Sequence, residues 1–274
     1  MCGETYQLVL PMTFQIRRRA FFAGLAALGL LAGPLLAQDD VPVIAAASDL
    51  KFAVTEIAAA FAAETGMQVE LSMGSTGNFA TQIRQGAPFQ MFMAADERFV
   101  AELHAEGLTR DAGTLYAEGR LVIMVPHGSA LTPDAALDNL AEMLAAGTLT
   151  KFAIANPDHA PYGMRAQEAL AHRGLWDAIQ PHLVLGENVS QAAQFALSGN
   201  AEGGIIAYSL ALAPEVADLG EFAVIPHDWH APLRQRMALL DNAGPVAEAF
   251  YAYMQRSPAR EIMVRYGFVL PEGT

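Results

Sequence analysis

Apolar and polar positions change period in blocks along the chain. Val41-Pro-Val-Ile-Ala-Ala-Ala47 is a short apolar run suited to a strand buried on both faces. After Ser48-Asp49, residues 50–61 place Phe52, Ile57 and Phe61 on what reads as one helical face, and Gly66 stops that helix. Residues 68–73 alternate as a strand. Gly74-Ser-Thr-Gly-Asn78 then turns the chain into a helix over 79–85. Residues 89–94 give a third strand, and Asp96-Glu97 open a third helix. The second half repeats the style, with strands at 121–125, 152–155, 182–185 and 204–207 and helices at 165–172 and 190–198. No internal sequence repeat stands out. Strands alternating with helices predict an α/β fold of mainly parallel sheets flanked by helices. The pattern divides into lobe I over 38–118 plus 226–274 and lobe II over 119–225, with crossings near 116–120 and 222–227. Residues 244–266 read as helices returning to lobe I. Ligands in open α/β sheets sit beyond the strand carboxyl ends, so candidate chemistry is sought in the strand-end loops.

The N-terminus follows a different rule. Arg17-Arg18-Arg19 precedes an apolar stretch that ends in small residues before Gln38, the layout of a secretory signal over residues 1–37. Arg18-Arg19-Ala20-Phe21-Phe22 also has the twin-arginine pattern, which predicts export to the periplasm. An uncleaved anchor is the alternative, at the short limit for spanning a bilayer. Met12 is an alternative start that would remove Cys2, the one cysteine. With one cysteine, neither an internal disulfide nor a cysteine metal site is expected.

Composition narrows the partners. The 274 residues are 53% hydrophobic and 16% charged, enough for a large core and too apolar for disorder. Net charge is −13, and without residues 1–37 the chain keeps 13 basic and 28 acidic residues. Nucleic acid is not expected as a partner, because phosphate neutralisation needs clustered Lys and Arg. An acidic chain can still hold an anion on backbone N–H groups and hydroxyls.

Ser48 and Ser75 each stand where a strand ends and a helix begins. Singly, either is an ordinary N-cap whose oxygen accepts from the first turn. Together they imply two neighbouring helix starts aimed at one place, with free N–H donors and partial positive charge. Gly74 and Gly77 allow close backbone approach. Three further strand-end loops face the same cleft: Asn156-Pro-Asp-His-Ala-Pro-Tyr-Gly163, Gly186-Glu-Asn-Val-Ser190 and Gly203-Gly-Ile-Ile-Ala-Tyr208. An enzyme is not expected: neither serine lies in a Gly-x-Ser-x-Gly elbow, and the sequence places no histidine or acid to activate one. A metal receptor would draw on His227 and His230 or on Asp158-His159. Pro226 and Pro232 argue against the helical segment that would let His227 and His230 share an ion. Trp176, Trp229, Phe52, Phe61, Phe195 and Phe250 read as core.

Seven motifs in order now carry a resemblance. Ala-Ala-Ser48-Asp-Leu, Gly74-Ser-Thr-Gly-Asn78, Gln82-Ile-Arg-Gln-Gly-Ala-Pro88, Ala94-Ala-Asp-Glu97, Asn156 to Gly163, Gly186-Glu-Asn-Val189 and Tyr266-Gly-Phe268 resemble the periplasmic molybdate-binding proteins of bacterial ABC importers. The resemblance runs over nearly the whole exported chain. It implies a two-lobe type II periplasmic binding fold closing on one oxyanion, with no cofactor and no metal side-chain ligand. Ser48 and Ser75 would give hydroxyl and backbone donors, Asp49 its N–H, and Tyr162 and Val189 backbone N–H groups from lobe II. Tyr208 is the sixth ligand position, one residue beyond the place where some members supply a tyrosine hydroxyl. A one-residue shift at a strand end reverses side-chain direction. The implied ligands are molybdate and tungstate, the implied partner is a membrane permease, and the implied state is a monomer. Another oxyanion such as sulfate or a phosphonate is the alternative, since fold does not settle ligand identity.

Overall fold

A computed structural model of the chain describes residues 41–271. The predicted export signal lies outside them. The first half opens with β1 (Val43–Ala47), turns through a 3-10 segment at Ser48–Leu50, and enters α1 (Lys51–Thr65). It continues through β2 (Glu70–Gly74), α2 (Thr76–Arg84), β3 (Met91–Ala94), α3 (Glu97–Ala105) and β4 (Thr114–Gly119). Arg120 alone separates β4 from β5 (Leu121–Pro126), which opens the second half. There α4 (Asp138–Ala146), β6 (Phe152–Ala155), α5 (Pro161–His172), α6 (Trp176–Ile179) and β7 (Leu183–Gly186) follow. Next come α7 (Val189–Leu197), β8 (Gly203–Ala207), α8 (Tyr208–Ala211), α9 (Pro214–Ala217) and β9 (Gly220–Val224). The chain then returns through β10 (Leu233–Leu239) and ends in α10 (Pro245–Tyr253) and α11 (Ser257–Arg265).

The strands form two five-stranded sheets, ordered β2-β1-β3-β10-β4 and β7-β6-β8-β5-β9. In the first, β1 pairs parallel with β2 and β3, while β10 runs antiparallel to β3 and β4. In the second, β6 pairs parallel with β7 and β8, while β5 runs antiparallel to β8 and β9. Each sheet therefore has four strands in one direction and one reversed, and the two share a topology that the sequence does not show as a repeat. The reversed strands, β5 and β10, are those that follow the two crossings between sheets.

Side-chain alternation explains why the strands read as continuous apolar runs. Ile44 and Ala46 enter the core under α1, α10 and α11, whereas Ala45 enters a second core under α2 and α3. Phe61 is buried edge-on between Phe250, 5.3 Å away, and Tyr253. That fixes the C-terminal helices onto α1, and each ring so buried contributes about 2–3 kcal/mol. The buried face of α1 is Ala53, Val54, Ile57 and Phe61, without Phe52. Phe52 lies about 140° round the helix from Ile57 and packs instead against the core of the second half. Gly66 ends α1 at φ +74°, the left-handed conformation in which glycine meets no side-chain penalty.

Candidate functional site

Four helical starts converge where the two sheets' strand ends face each other. The turn at Ser48 follows β1, and α2 follows β2 with Ser75 at its N-cap. Across from them α5 follows β6, with Pro161 in its first turn and Tyr162 next, and α7 follows β7 with Val189 as its first residue. The helix over 79–85 and that over 165–172 thus begin three and four residues earlier than the sequence pattern indicated. Apolar periodicity marks only where a helix becomes amphipathic, whereas its first turn is written in small residues and Pro161. The early starts bring Thr76 and Tyr162 into first turns, whose N–H groups have no intrahelical acceptor.

These starts enclose a small cavity whose wall includes Ser48, Asp49, Ser75, Thr76, Tyr162 and Val189. No Lys or Arg lines it among the described residues. Each of those six residues is buried. Larger cavities lie elsewhere, one of them mainly apolar and lined by Phe52, Leu197 and Leu210.

Neither serine caps its helix with its side chain. Ser75 Oγ donates across the cleft to the His159 carbonyl at 2.7 Å and lies 2.8 Å from His159 Nδ1. Ser48 Oγ accepts from the Ser190 N–H at 3.2 Å, and Ser190 Oγ donates to the Ser48 carbonyl at 2.7 Å. The cap at α7 is Asn188, which accepts from the Gln191 N–H. With their hydroxyls turned across the cleft, Ser48 and Ser75 do not cap their own first turns, and in α2 the Gly77 N–H donates to the His159 carbonyl at 2.9 Å.

Asp49 supplies a buried carboxylate beside these donors. Its Oδ2 accepts from Gln235 Nε2 at 2.6 Å and from the Tyr162 hydroxyl at 3.1 Å. Tyr116 donates in turn to Gln235 Oε1 at 2.9 Å, and Ser209 Oγ donates to the Asp49 carbonyl at 2.8 Å. Oδ1 has no partner among the described residues. Burial outweighs the hydrogen bonds and raises the carboxyl from 3.8 to about 6. Burial, with Asp49 close by, also pushes the Tyr162 phenol well above its usual range.

Five of the six residues singled out from the sequence therefore share one cavity, and Tyr208 does not. It begins α8, and its ring packs on Phe222 at 5.6 Å and beside Gly267. The one-residue offset at the end of β8 directs the ring out of the cleft. Sequence reading also missed Gln235, named His159 only as a candidate metal ligand, and placed Ser190 only within a strand-end loop. Gln235 had a usable signal: in Leu233-Arg-Gln-Arg-Met237 it is the polar member of an alternating row whose other members, Leu233 and Met237, are buried. The histidine absent from the serines by sequence is present in space, since His159 stands beside Ser75. The segment His227–Trp229 does form one 3-10 turn despite its flanking prolines. Even so, no group of three His, Cys, Asp or Glu residues able to hold a metal occurs among the described residues.

The family model for bacterial extracellular solute-binding proteins matches residues 42–269. The chain belongs to that family. It is a family of receptors, not of enzymes. The chain is 35% identical over 251 residues to the molybdate-binding protein ModA of Rhodobacter capsulatus, covering 90% of this chain and 96% of that one. It is 34% identical to the corresponding protein of Azotobacter vinelandii, covering 94% of this chain and all of that one. The solved periplasmic molybdate-binding protein of Azotobacter vinelandii superposes with a TM-score of 0.75 at 30% identity, covering 85% of this chain and 100% of that one. The sulfate-binding protein SubI of Mycobacterium tuberculosis, at 17% identity and a TM-score of 0.68, shares the fold.

Proposed function

We propose that this receptor captures molybdate, with tungstate as a second ligand of nearly equal size, and delivers it to the membrane permease of an ABC importer. Residues 1–37 serve as a twin-arginine export signal, and the released protein works as a monomer in the periplasm. The ranges 38–118 plus 226–274 and 119–225 act as two lobes that close on the anion.

The observation carrying this reading is the meeting of four helical starts around a cavity lined by neither Lys nor Arg. Helix N-termini supply N–H donors and partial positive charge without a counter-ion of their own, which suits a tetrahedral dianion. Ser48, Asp49, Ser75, Tyr162 and Val189 are the proposed contacts, through backbone N–H groups and, for the serines, hydroxyls. A pocket built mainly from donors disfavours an oxyanion that still carries a proton, because that hydrogen is desolvated where the helix starts offer N–H groups rather than acceptors. The one carboxylate in the wall has Oδ2 held by Gln235 and Tyr162.

Isothermal titration with molybdate, tungstate, sulfate and phosphate tests the proposal. Tight one-to-one binding of the first two, with sulfate and phosphate far weaker, is expected. Sulfate binding as tight as molybdate would make this a general oxyanion receptor, and silence from all four would overturn the reading.

A further inference from the structure

The Ser75 hydroxyl has one proton and two neighbours close enough to take it. Oγ lies 2.7 Å from the His159 carbonyl oxygen, to which it donates, and 2.8 Å from the His159 ring nitrogen Nδ1. A hydroxyl donating to the carbonyl has only lone pairs to offer the ring, so Nδ1 must carry the hydrogen of the second bond. The opposite tautomer would send the hydroxyl proton to Nδ1 and leave two oxygens 2.7 Å apart with no hydrogen between them. The His159 carbonyl, moreover, does not depend on Ser75, because the Gly77 N–H donates to it at 2.9 Å. Glu187 is the charged group facing the ring from the α7 side, 4.0 Å from Nε2 and exposed, with its Oε1 held by Asn78. Asp158, on the ring's own loop, is exposed as well.

We propose that His159 is a positioning residue for the bound oxyanion: it donates from Nδ1 to Ser75 Oγ and thereby frees the Ser75 proton for the anion. Gly77 keeps the His159 carbonyl satisfied when that proton swings away. Accepting from a ring N–H also strengthens the hydroxyl as a donor, since linked hydrogen bonds polarise one another. Ser75 stands on the first half of the fold and His159 on the second. The hydroxyl is thus aimed only when the two halves are together, which ties this contact to closure. The inference rests on the oxyanion reading above and deepens it.

The test is a double-mutant cycle read by titration with molybdate, together with ring nitrogen NMR. His159→Ala should bind about tenfold more weakly, and Ser75→Ala about tenfold to a hundredfold more weakly. If His159 acts through Ser75, the double variant binds no more than about twofold worse than Ser75→Ala alone. His159→Asn, whose amide nitrogen sits near the place of Nδ1, should recover most of the loss. In the molybdate-saturated wild type, long-range proton–nitrogen spectra should show His159 Nδ1 protonated, a signature that a merely structural histidine need not have. Additive losses in the cycle, or an unprotonated Nδ1 in the saturated protein, would overturn the proposal. Should His159→Ala fail to fold, His159→Asn and the spectrum decide instead. A wild type that gives no molybdate binding removes the oxyanion reading itself, whereas normal binding with an additive cycle removes this inference alone.

Discussion

Asp49 is a wholly buried carboxyl with two neutral donors on one oxygen and none on the other. Its hydrogen-bond partners carry no positive charge, so burial dominates and its value rises from 3.8 to about 6. The folded state therefore favours the protonated form. The stability this gives is fully present below the unfolded value of 3.8 and is lost as pH climbs through 6. A rise of that size corresponds to about 3 kcal/mol. The expected outcome is that the ligand-free wild type loses stability relative to Asp49→Asn as pH goes from about 4.5 to about 7.5, a range that spans the folded value. Calorimetric melting of the two proteins across that range measures the difference, and parallel curves would mean the carboxylate is better solvated than its surroundings indicate. The side-chain amide in Asp49→Asn would keep an oxygen for Gln235 and Tyr162, so the comparison isolates charge from packing.

At the scale of elements, the first turn of α2 meets the loop before α5 across the cleft. A Cβ placed on Gly77 would lie 2.5 Å from the His159 carbonyl oxygen, so glycine is what lets helix and loop touch. Gly77→Ala should separate two effects that usually travel together. Alanine favours a helix over glycine by about 1 kcal/mol, so α2 itself gains. The methyl group holds the His159 loop away, so molybdate affinity should fall tenfold or more while the ligand-free melting temperature holds or rises. Titration and calorimetry on one preparation check both halves of that statement. The same contact marks how far the sequence could be read. β1, β3 and β6 were legible because strands buried on both faces are unbroken apolar runs, and Gly66 announced the end of α1. The strand ends then located Ser48 and Ser75 and the loops that carry Tyr162 and Val189, whereas Asp49, Tyr162 and Val189 themselves came from the family resemblance. β4, β9 and β10 escaped notice because the polar residues in them, Glu118, Glu221, Arg234 and Arg236 among them, break the apolar run. His159 and Gln235 were out of reach as partners, since their contacts join residues 84 and 186 positions apart.

At the scale of the molecule, the proposed closure of two lobes would depend on the contacts that cross from one sheet's half to the other. Arg165, on α5, donates to Asp96 Oδ2 at 2.7 Å, and the two side chains are only 13% and 10% exposed. Asp96 is also the N-cap of α3, accepting from the Arg98 N–H, so the bridge ties a helix start in one half to a helix in the other. When the halves part, Arg165 keeps its second partner, Glu168, whereas Asp96 loses its cation. Under the proposed closure, the bridge would stabilise the closed form relative to the open one, and a ligand that binds the closed form would depend on that difference. Arg165→Ala should weaken molybdate binding about tenfold, equivalent to about 1.4 kcal/mol. Removing an arginine also makes the protein more acidic, which alone would disfavour an anion. Arg234→Ala supplies the control, because Arg234 pairs with Glu97 inside the first half and carries the same charge. Its affinity should stay within about twofold of wild type. Equal losses in the two variants would assign the effect to long-range charge. A loss confined to Arg165→Ala, with a saturated radius of gyration unchanged by small-angle scattering, would assign it to the equilibrium between open and closed forms.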